Sequence, residues 1–241
     1  MNSSKSIPTI LISGCTKGIG LAIAKIFAAK GFNVAGCARN PEELKELFTD
    51  FSMRFPHQKF FMEVCDVSNK ELIKVFAKDV LAEFGKVDVL VNNAGLFLPG
   101  SILEETEGDF EKQFLTNVSS TYHLTRVIAP TMVENQVGHI FNICSTASIT
   151  AYSNGGSYCI SKHAMFGLNQ VLREELKDKK VKVTAILPGA TLTDSWSGTD
   201  LPEERFMPAD DIAKLVFNAY ELSAQTNVEQ ILVRPILGDI N

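Results

Sequence analysis

Short apolar runs alternate with amphipathic stretches along the whole chain. The runs are rich in β-branched and aliphatic residues and predict buried strands, whereas the stretches between them repeat apolar residues at helical intervals and predict helices. The predicted strands are residues 9–13, 32–37, 59–64, 87–91, 139–144, 181–187 and 228–233. The predicted helices run from about 21 to 31, 41 to about 55, 68 to 85, about 106 to 133, 157 to about 178, and 209 to about 222, the third opened by a capping box from Ser68 to Glu71.

The regular alternation of strand and helix predicts the arrangement of the sheet. Parallel strands joined by right-handed helical crossovers form a doubly wound α/β (Rossmann) fold, so we expect a mostly parallel seven-stranded sheet with helices on both faces. No linker interrupts the pattern, and residues 1–241 are interpreted as a single domain. Residues 1–7 are rich in serine and asparagine, and we expect them to form a loose N-terminal end. Residues 190–207 lack clear periodicity and are long enough for a substrate lid over the carboxyl ends of the strands.

Length and composition fit a single α/β domain and argue against several other classes of protein. With 241 residues, 45% of them hydrophobic, the chain can bury a substantial core. A net charge of −5 without a dense Lys/Arg block argues against nucleic acid or an anionic membrane as a main partner. No apolar run approaches the roughly 18 residues that cross a bilayer, and no signal peptide is recognisable, so a cytoplasmic location is expected.

Cysteine and histidine are spaced in a way that predicts no metal site. The five cysteines, at 15, 37, 65, 144 and 159, form no C-x-x-C pair and mostly lie in or beside apolar strands, which is typical of small buried side chains in a reducing compartment. The four histidines are dispersed. We therefore expect no catalytic metal.

A glycine-rich turn joins the first predicted strand to the first predicted helix. It reads Gly14-Cys15-Thr16-Lys17-Gly18-Ile19-Gly20. Strand, glycines, helix and second strand follow in the order and length of a dinucleotide-binding βαβ unit, in which glycines let the backbone approach a pyrophosphate at a helix N-terminus. This turn is therefore predicted to bind a dinucleotide.

Four polar residues supply the groups needed to protonate a carbonyl oxygen, namely Asn117, Ser145, Tyr158 and Lys162. Tyr158 and Lys162 are four residues apart, so on a helix they share one face, and the ammonium group is expected to lower the pKa of the phenol from about 10. Such a shift suits general acid–base catalysis. Tyr122 also has a cation four residues on, and the Tyr158–Lys162 spacing by itself fits a helix-surface pair equally well.

Together these features resemble the short-chain dehydrogenase/reductase family over nearly the whole chain. The shared motifs, in the family's order, are the glycine turn, Asp66, Asn92-Asn93-Ala94-Gly95, the four polar residues, and Pro188-Gly189 with Thr193. Ser13 stands where the family usually has threonine and keeps the hydroxyl. The residues expected to contact the cofactor, from this resemblance and from the charges described below, are Gly14, Thr16, Lys17, Gly18, Ile19, Gly20, Arg39, Asn40, Asp66, Val67, Asn93, Ala94, Gly95, Tyr158, Lys162, Pro188, Gly189, Thr191 and Thr193.

The resemblance also implies a reaction. Ser145 would hydrogen-bond the substrate carbonyl and Tyr158 would donate its proton, while the nicotinamide delivers hydride to the carbonyl carbon. Lys162 would lower the pKa of Tyr158 and hold the nicotinamide ribose. Asn117 would lie within a helix, where its side chain or a freed backbone carbonyl holds a water that links Lys162 to solvent.

Charge at the end of the second predicted strand favours NADPH over NADH. There the chain reads Cys37-Ala38-Arg39-Asn40, without the carboxylate that bonds the ribose 2′-hydroxyl of NAD. Arg39 offers a bidentate fork, and Lys17 a point charge, to the 2′-phosphate of NADP. The alternative is that both are ordinary solvated cations.

Two aromatic residues suggest the character of the substrate pocket. Phe97 follows the Asn-Asn-Ala-Gly run, and Trp196 lies within residues 190–207. With Ser145 between them, an apolar and partly aromatic pocket suits a small, flat or hydrophobic carbonyl compound. Trp196 could equally serve only to pack its own segment.

The chain's ending narrows the choice of substrate by resemblance. Residues 234–240, Arg-Pro-Ile-Leu-Gly-Asp-Ile, resemble the ending of bacterial sepiapterin reductase-like members and suggest a pterin side-chain ketone. The alternatives are a 3-oxoacyl-thioester reductase, a sugar or alcohol dehydrogenase and, from another class, a nucleotide-binding regulatory protein without catalysis. The family resemblance further implies a homodimer or homotetramer.

Overall fold

The computed structural model describes residues 7–196 and 198–240. Of the loose end expected at residues 1–7, all but Ile7 lies outside the described residues, and so does Ser197 of the expected lid. The backbone of the described residues forms alternating strands and helices, as the apolar pattern predicts.

Seven strands within the described residues form a single sheet, and all their pairings are parallel. The strands are β1 (Thr9–Ser13), β2 (Asn33–Ala38), β3 (Phe60–Val64), β4 (Val89–Asn92), β5 (Gly138–Ile143), β6 (Val181–Pro188) and β7 (Gln230–Val233). Their order across the sheet is β3-β2-β1-β4-β5-β6-β7. Strands β1 to β3 are added toward one edge of the sheet and β4 to β7 toward the other, so the strand order reverses between β1 and β4. The predicted doubly wound fold is confirmed. Such a reversal opens a crevice at the carboxyl ends of the strands.

Helices cover both faces of this sheet. They are α1 (Gly18–Ala29), α2 (Pro41–Arg54), α3 (Lys70–Phe84), α4 (Asp109–Phe114), α5 (Ser120–Asn135), α6 (Gly156–Leu176) and α7 (Ala209–Glu221). None of the helices in the described ranges is both long enough and apolar enough to span a bilayer.

The long helix predicted at about 106–133 has a different internal structure. A π-helical turn, Leu115–Ser119, separates α4 from α5, and the Ser120 N–H donates to Leu115 O, five residues back. A π turn adds one residue to the helical repeat, and such turns are frequent at functional sites. Apolar periodicity does not reveal it, because one inserted residue leaves the helical pattern on either side intact.

The capping-box prediction at Ser68 was wrong by one residue. Asn69 caps α3, because its side-chain oxygen accepts from Glu71 N at 3.0 Å and Leu72 N at 3.2 Å. Ser68 instead bonds the Asp66 carboxylate, through its N–H at 3.0 Å and its hydroxyl at 2.7 Å. The Asp66 side chain thus forms a turn that delays the start of the helix.

The core consists of two apolar layers that the sheet separates. In β1, Ile10 and Ile12 face the layer covered by α1 and α7, and Leu11 faces the layer covered by α3 and α5. Both faces of the strand are therefore dry, which is why the parallel strands are continuously apolar rather than alternating. The five cysteines are all buried, as their positions beside the strands predicted.

Candidate active site

A cavity of about 980 Å³ lies at the carboxyl ends of the strands. The predicted site residues all line it except Gly20 and Asn117, which stand directly behind its wall. Packing of the sheet thus brings together the β1–α1 glycine turn, the segments after β2, β3, β4 and β5, the start of α6, and the segment after β6.

The glycine turn lines the cavity and is held by hydrogen bonds between side chains and backbone groups. Asn93 Nδ2 donates to Gly14 O at 2.8 Å and to Ser13 O at 3.0 Å, and the Ser13 hydroxyl accepts from the N–H groups of Asn93 and Ala94. Behind the turn, a Cβ on Gly20 would lie 2.0 Å from Gly14 O, so only glycine fits there. Ser13 keeps the hydroxyl role expected of threonine at its position.

The N-terminus of α1 lines the cavity and has no side-chain cap. Lys17 is the N-cap residue, its side chain makes no capping hydrogen bond, and the first turn carries no acidic residue. Free N–H groups and the helix dipole favour an anion at this position. The residues present therefore fit the pyrophosphate of a dinucleotide.

The segment after β2 contributes a cation and a carboxylate, which lie beside Lys17 of the glycine turn. Arg39 is exposed on the cavity rim, and Asn40 caps α2 by accepting from Glu42 N and Glu43 N. The Lys17 ammonium lies 3.0 Å from Glu43 Oε1 and 3.0 Å from Asp194 Oδ2. The two carboxylates were missed in the sequence, because neither belongs to a recognisable motif and their meeting at Lys17 depends on the fold.

The segment after β5 and the start of α6 bring Ser145, Tyr158 and Lys162 to the cavity. Ser145 follows β5 and is the N-cap of a short 3₁₀ turn, where its hydroxyl oxygen accepts from Ala147 N at 3.1 Å. Tyr158 and Lys162 lie one turn apart in α6, and the ammonium nitrogen is 5.8 Å from the centre of the phenol ring. Lys162 is buried and donates to Ile143 O at 2.9 Å.

The sequence predicted that Lys162 lowers the pKa of Tyr158, but in the structure this pKa is raised, so the prediction was wrong. Burial raises the pKa of Tyr158 to about 12, and the hydrogen bond with Ser145 opposes this rise only in part. Burial likewise lowers the pKa of Lys162 to about 8. The loss of water around both groups outweighs their mutual attraction, because the ammonium group is directed at the Ile143 carbonyl rather than at the phenol oxygen.

Asn117 lies in the π turn and is fully buried behind Lys162. Its Nδ2 donates to Leu96 O and to Ser161 Oγ, both at 2.9 Å, and its Oδ1 accepts from Leu96 N at 2.7 Å. The side chain is therefore committed to protein partners. The Asn117 carbonyl accepts from Thr121 Oγ1 at 3.2 Å and, with two lone pairs, can accept a second bond.

Both predicted aromatic residues border the cavity. The Phe97 ring meets Tyr158 edge to face, with centroids 4.9 Å apart. Trp196 lines the cavity and also packs against Phe206, with ring centroids 5.0 Å apart, so the two interpretations of Trp196 hold together. A backbone β-bridge between Thr191 and Met207 closes the segment between them into a loop.

The C-terminal tail supplies a carboxylate that was not assigned from the sequence. Asp239 lines the cavity, and its Oδ2 pairs with Arg234 Nε at 2.9 Å. Its Oδ1 is buried without a hydrogen-bond partner among the described residues and would lie 3.1 Å from a Cβ on Gly189. Arg205 anchors the tail by donating to Asp239 O at 2.8 Å. A carboxylate just after the last parallel strand was the available signal, because that strand ends at the same edge as the site.

Residues 7–196 and 198–240 contain no group of three or more His, Cys, Asp or Glu side chains that could hold a metal ion. Two of the buried thiols have raised pKa values, about 12 for Cys15 and about 11 for Cys144, because burial disfavours the thiolate. Neither thiol is therefore an activated nucleophile at neutral pH.

Comparison with known proteins points in one direction. Residues 8–203 match the family model for short chain dehydrogenases. Sepiapterin reductase of Chlorobaculum tepidum is 31% identical and covers 96% of this chain and 97% of its own. Among solved structures, a metagenomic short-chain oxidoreductase in complex with NADP is 30% identical, with a TM-score of 0.83 over 95% of this chain and 96% of that one. An alcohol dehydrogenase of the archaeon Thermococcus sibiricus, complexed with 5-hydroxy-NADP, is 27% identical, with a TM-score of 0.91 over 98% of this chain and 99% of that one.

Proposed function

This chain belongs to the short-chain dehydrogenase family and is an oxidoreductase, and from that premise we propose that it reduces a carbonyl group on a small, flat or apolar substrate with NADPH. The observation that carries the proposal is the meeting of Ser145, Tyr158 and Lys162 in one cavity with an uncapped helix N-terminus in a glycine turn. A proton donor and an anion-binding turn in one cavity are the two parts that a dinucleotide-dependent reduction needs.

The cofactor would be held along the whole cavity. The N–H groups of the glycine turn and α1 suit the pyrophosphate, Asp66 and Val67 the adenine, and the residues from Pro188 to Thr193 the nicotinamide end. Arg39 and Lys17 would receive the 2′-phosphate, and the NADP complexes of two similar structures support that choice. When bound, the dinucleotide supplies the hydride for the carbonyl carbon.

The protein's own residues would supply the proton. With its pKa raised to about 12, Tyr158 carries its proton at neutral pH and can donate it to a carbonyl oxygen that Ser145 also contacts. Lys162, with a pKa lowered to about 8, is still mostly protonated at neutral pH, and its charge would stabilise the phenolate left behind. We propose that the Asn117 carbonyl, rather than its committed side chain, holds the water that returns a proton to Lys162.

For the substrate we propose a pterin-like ketone. Asp239 lines the cavity, and its Oδ1, buried beside Tyr152, has no hydrogen-bond partner among the described residues, so a substrate donor that reached it would satisfy it. A 2-amino-4-oxopyrimidine ring presents two adjacent N–H donors that match a carboxylate. The likeness to a sepiapterin reductase supports this choice over an acyl thioester or a simple sugar, neither of which carries such a donor pair at a flat ring.

The test is consumption of NADPH by the purified protein with sepiapterin, using Tyr158→Phe as the blank. We expect turnover that the variant loses by about 10²–10⁴-fold while it still binds NADPH. Turnover that survives in Tyr158→Phe would refute the acid role. Turnover of small ketones, diketones or acyl thioesters without turnover of sepiapterin would leave the reductase and remove the pterin. Tight NADPH binding with no carbonyl reduced would favour the regulatory alternative.

We also propose that the protein acts as a homodimer or homotetramer. Leu103, Ile236 and Leu237 are 96%, 100% and 75% exposed, and a contact between copies of the chain would remove such apolar side chains from solvent. Sedimentation equilibrium is the test, and a monomer at micromolar concentration would refute the proposal.

A further inference from the structure

Lys17 joins three separate elements at the rim of the cavity. It belongs to the glycine turn, while Glu43 lies in the first turn of α2 and Asp194 lies in the segment between β6 and α7. The ammonium nitrogen is 3.0 Å from a carboxylate oxygen of each. The cation that the sequence assigns to a phosphate is thus already shared between two carboxylates.

The two carboxylates are held unequally. Glu43 is 26% exposed and its Oε1 also accepts from Asn40 Nδ2 at 3.1 Å, so it stays in place whether or not Lys17 moves. The Asp194 side chain is 65% exposed, and the Lys17 side chain is 55% exposed. Ion pairs between exposed side chains are weak and screened by salt. Asp194 is therefore the partner that Lys17 can exchange most easily.

A phosphate monoester is a stronger partner for Lys17 than Asp194. It carries a charge of about −1.5 to −2 and three acceptor oxygens, against a single charge and two oxygens on a carboxylate. We propose that Asp194 is a specificity-determining residue, which competes with the 2′-phosphate of the dinucleotide for the Lys17 ammonium group. The inference rests on the proposed function, which assigns Lys17 to that phosphate.

Competition makes a prediction opposite to that of a clasp. If the Lys17–Asp194 pair clasped the cavity shut over any nucleotide, its loss would weaken ligands with and without a 2′-phosphate alike. If Asp194 competes, its loss strengthens only the ligand that carries the 2′-phosphate. The segment itself has other anchors, since Leu192 N donates to Met207 O at 2.9 Å and Met207 N to Ala190 O at 3.0 Å.

The experiment measures binding of two adenosine ligands by calorimetry, without turnover. Adenosine 2′,5′-bisphosphate carries the 2′-phosphate, and 5′-AMP is the matched ligand without it. The variants are Asp194→Asn and, as a control, Asp200→Asn, which removes the same charge from the same exposed segment at a residue six positions from the Lys17 contact. Lys17→Met reports the contribution of the cation itself.

We expect Asp194→Asn to tighten the bisphosphate by up to about fivefold, the equivalent of about 1 kcal/mol, and to change 5′-AMP by less than about twofold. Asp200→Asn should change neither ligand by more than about twofold, and the gain in Asp194→Asn should shrink as salt is added. Weaker binding of both ligands in Asp194→Asn, or an equal gain in Asp200→Asn, would overturn the inference.

Two further outcomes separate the inference from the proposed function. If the wild type prefers the bisphosphate and Lys17→Met loses that preference, but Asp194→Asn behaves as the wild type, the inference fails and the proposed cofactor stands. If neither the wild type nor Lys17→Met prefers the bisphosphate to 5′-AMP, the phosphate role of Lys17 is refuted. The inference then fails with it.

Discussion

The Glu105 carboxylate accepts hydrogen bonds from both the backbone N–H and the hydroxyl of Ser157, the residue that precedes Tyr158 in α6. The N–H···Oε1 distance is 2.6 Å. Two glycines leave room for this contact, since a Cβ on Gly156 would lie 2.2 Å from Glu105 Oε1 and one on Gly100 2.7 Å from Glu105 Cγ. A residue 52 positions away in sequence therefore caps the helix that carries the proposed acid.

Replacement of this cap should misplace Tyr158. We expect Glu105→Ala to lower kcat by about tenfold or more, because small displacements of a reacting group are costly, and to lower the free energy of unfolding by about 1–2 kcal/mol. Glu105→Gln keeps an acceptor oxygen and should recover most of both. Glu104→Ala is the neighbouring control, since its carboxylate bonds only the Ser101 hydroxyl among the described residues. Unchanged kcat in a destabilised Glu105→Ala would reduce Glu105 to a structural role.

Lys162 should make stability depend on pH in the alkaline range. Its pKa falls from 10.5 to about 8 on burial, so between these values the folded protein binds fewer protons than the unfolded chain. The contribution of this group to the free energy of unfolding therefore rises with pH across that window and is lost as pH falls through about 8. Tyr158, with a pKa raised from 10 to about 12, acts oppositely above pH 10.

The comparison that isolates Lys162 is with Lys162→Met. Urea unfolding of both proteins from pH 7 to 10 should show their difference shifting by up to about 3 kcal/mol in favour of the wild type as pH rises. The range stops at pH 10 so that Tyr158 does not contribute. A difference that stays constant over this range would contradict the lowered pKa.

Cofactor preference should reverse when the charges after β2 are exchanged. In Ala38→Asp with Arg39→Ser, a carboxylate replaces the cation, repels the 2′-phosphate and accepts from a free ribose 2′-hydroxyl. We expect the NADPH/NADH ratio of kcat/KM to fall at least about tenfold for each charge-assisted contact that is lost or opposed. An unchanged ratio would sink the assignment of Arg39 to the phosphate.

Asp239 should act on substrates that carry ring N–H donors and on no others. Asp239→Asn keeps the size of the side chain but replaces one acceptor oxygen by a donor, so KM for sepiapterin should rise by about 10-fold or more with little change in kcat. A simple ketone, which lacks the donors, is the control substrate and should be unaffected. Equal losses on both substrates would point to a displaced tail rather than to lost recognition.

The two glycines Gly20 and Gly167 should respond oppositely to alanine. A Cβ on Gly20 would lie 2.0 Å from Gly14 O and 2.4 Å from Asn93 Nδ2, so Gly20→Ala should distort the turn, abolish dinucleotide binding and lower the melting temperature. Gly167 lies inside α6, where a Cβ would meet no atom within 4 Å beyond the helix's own backbone, and Gly167→Ala should raise the free energy of unfolding by about 0.5–1 kcal/mol without affecting binding. The measurement is calorimetric binding of adenosine 2′,5′-bisphosphate to each variant, together with thermal unfolding of each variant. Normal binding by Gly20→Ala would contradict the close packing behind the turn.

Periodicity was sufficient to predict the fold but not its exceptions. The seven parallel strands were predictable because each is a local apolar run, because the central strands are dry on both faces, and because the helices between the strands each have one apolar side. The π turn at Leu115–Ser119 and the cap at Asn69 were not, since the first inserts one residue into an unbroken helical pattern and the second depends on where the Asp66 carboxylate points.

The sequence alone determined where the strands and helices lie along the chain, where the glycine turn lies, and which chemical groups stand at Asn117, Ser145, Tyr158 and Lys162. These are local patterns or motifs of fixed order. Only the tertiary structure decided that Glu43, Asp194 and Asp239 line the cavity. It also decided that Glu105 caps the helix that carries Tyr158. It also decided that burial controls the pKa values of Tyr158 and Lys162. The physical reason is that contacts between residues far apart along the chain, and the water they exclude, arise from how the sheet packs and have no periodic signature.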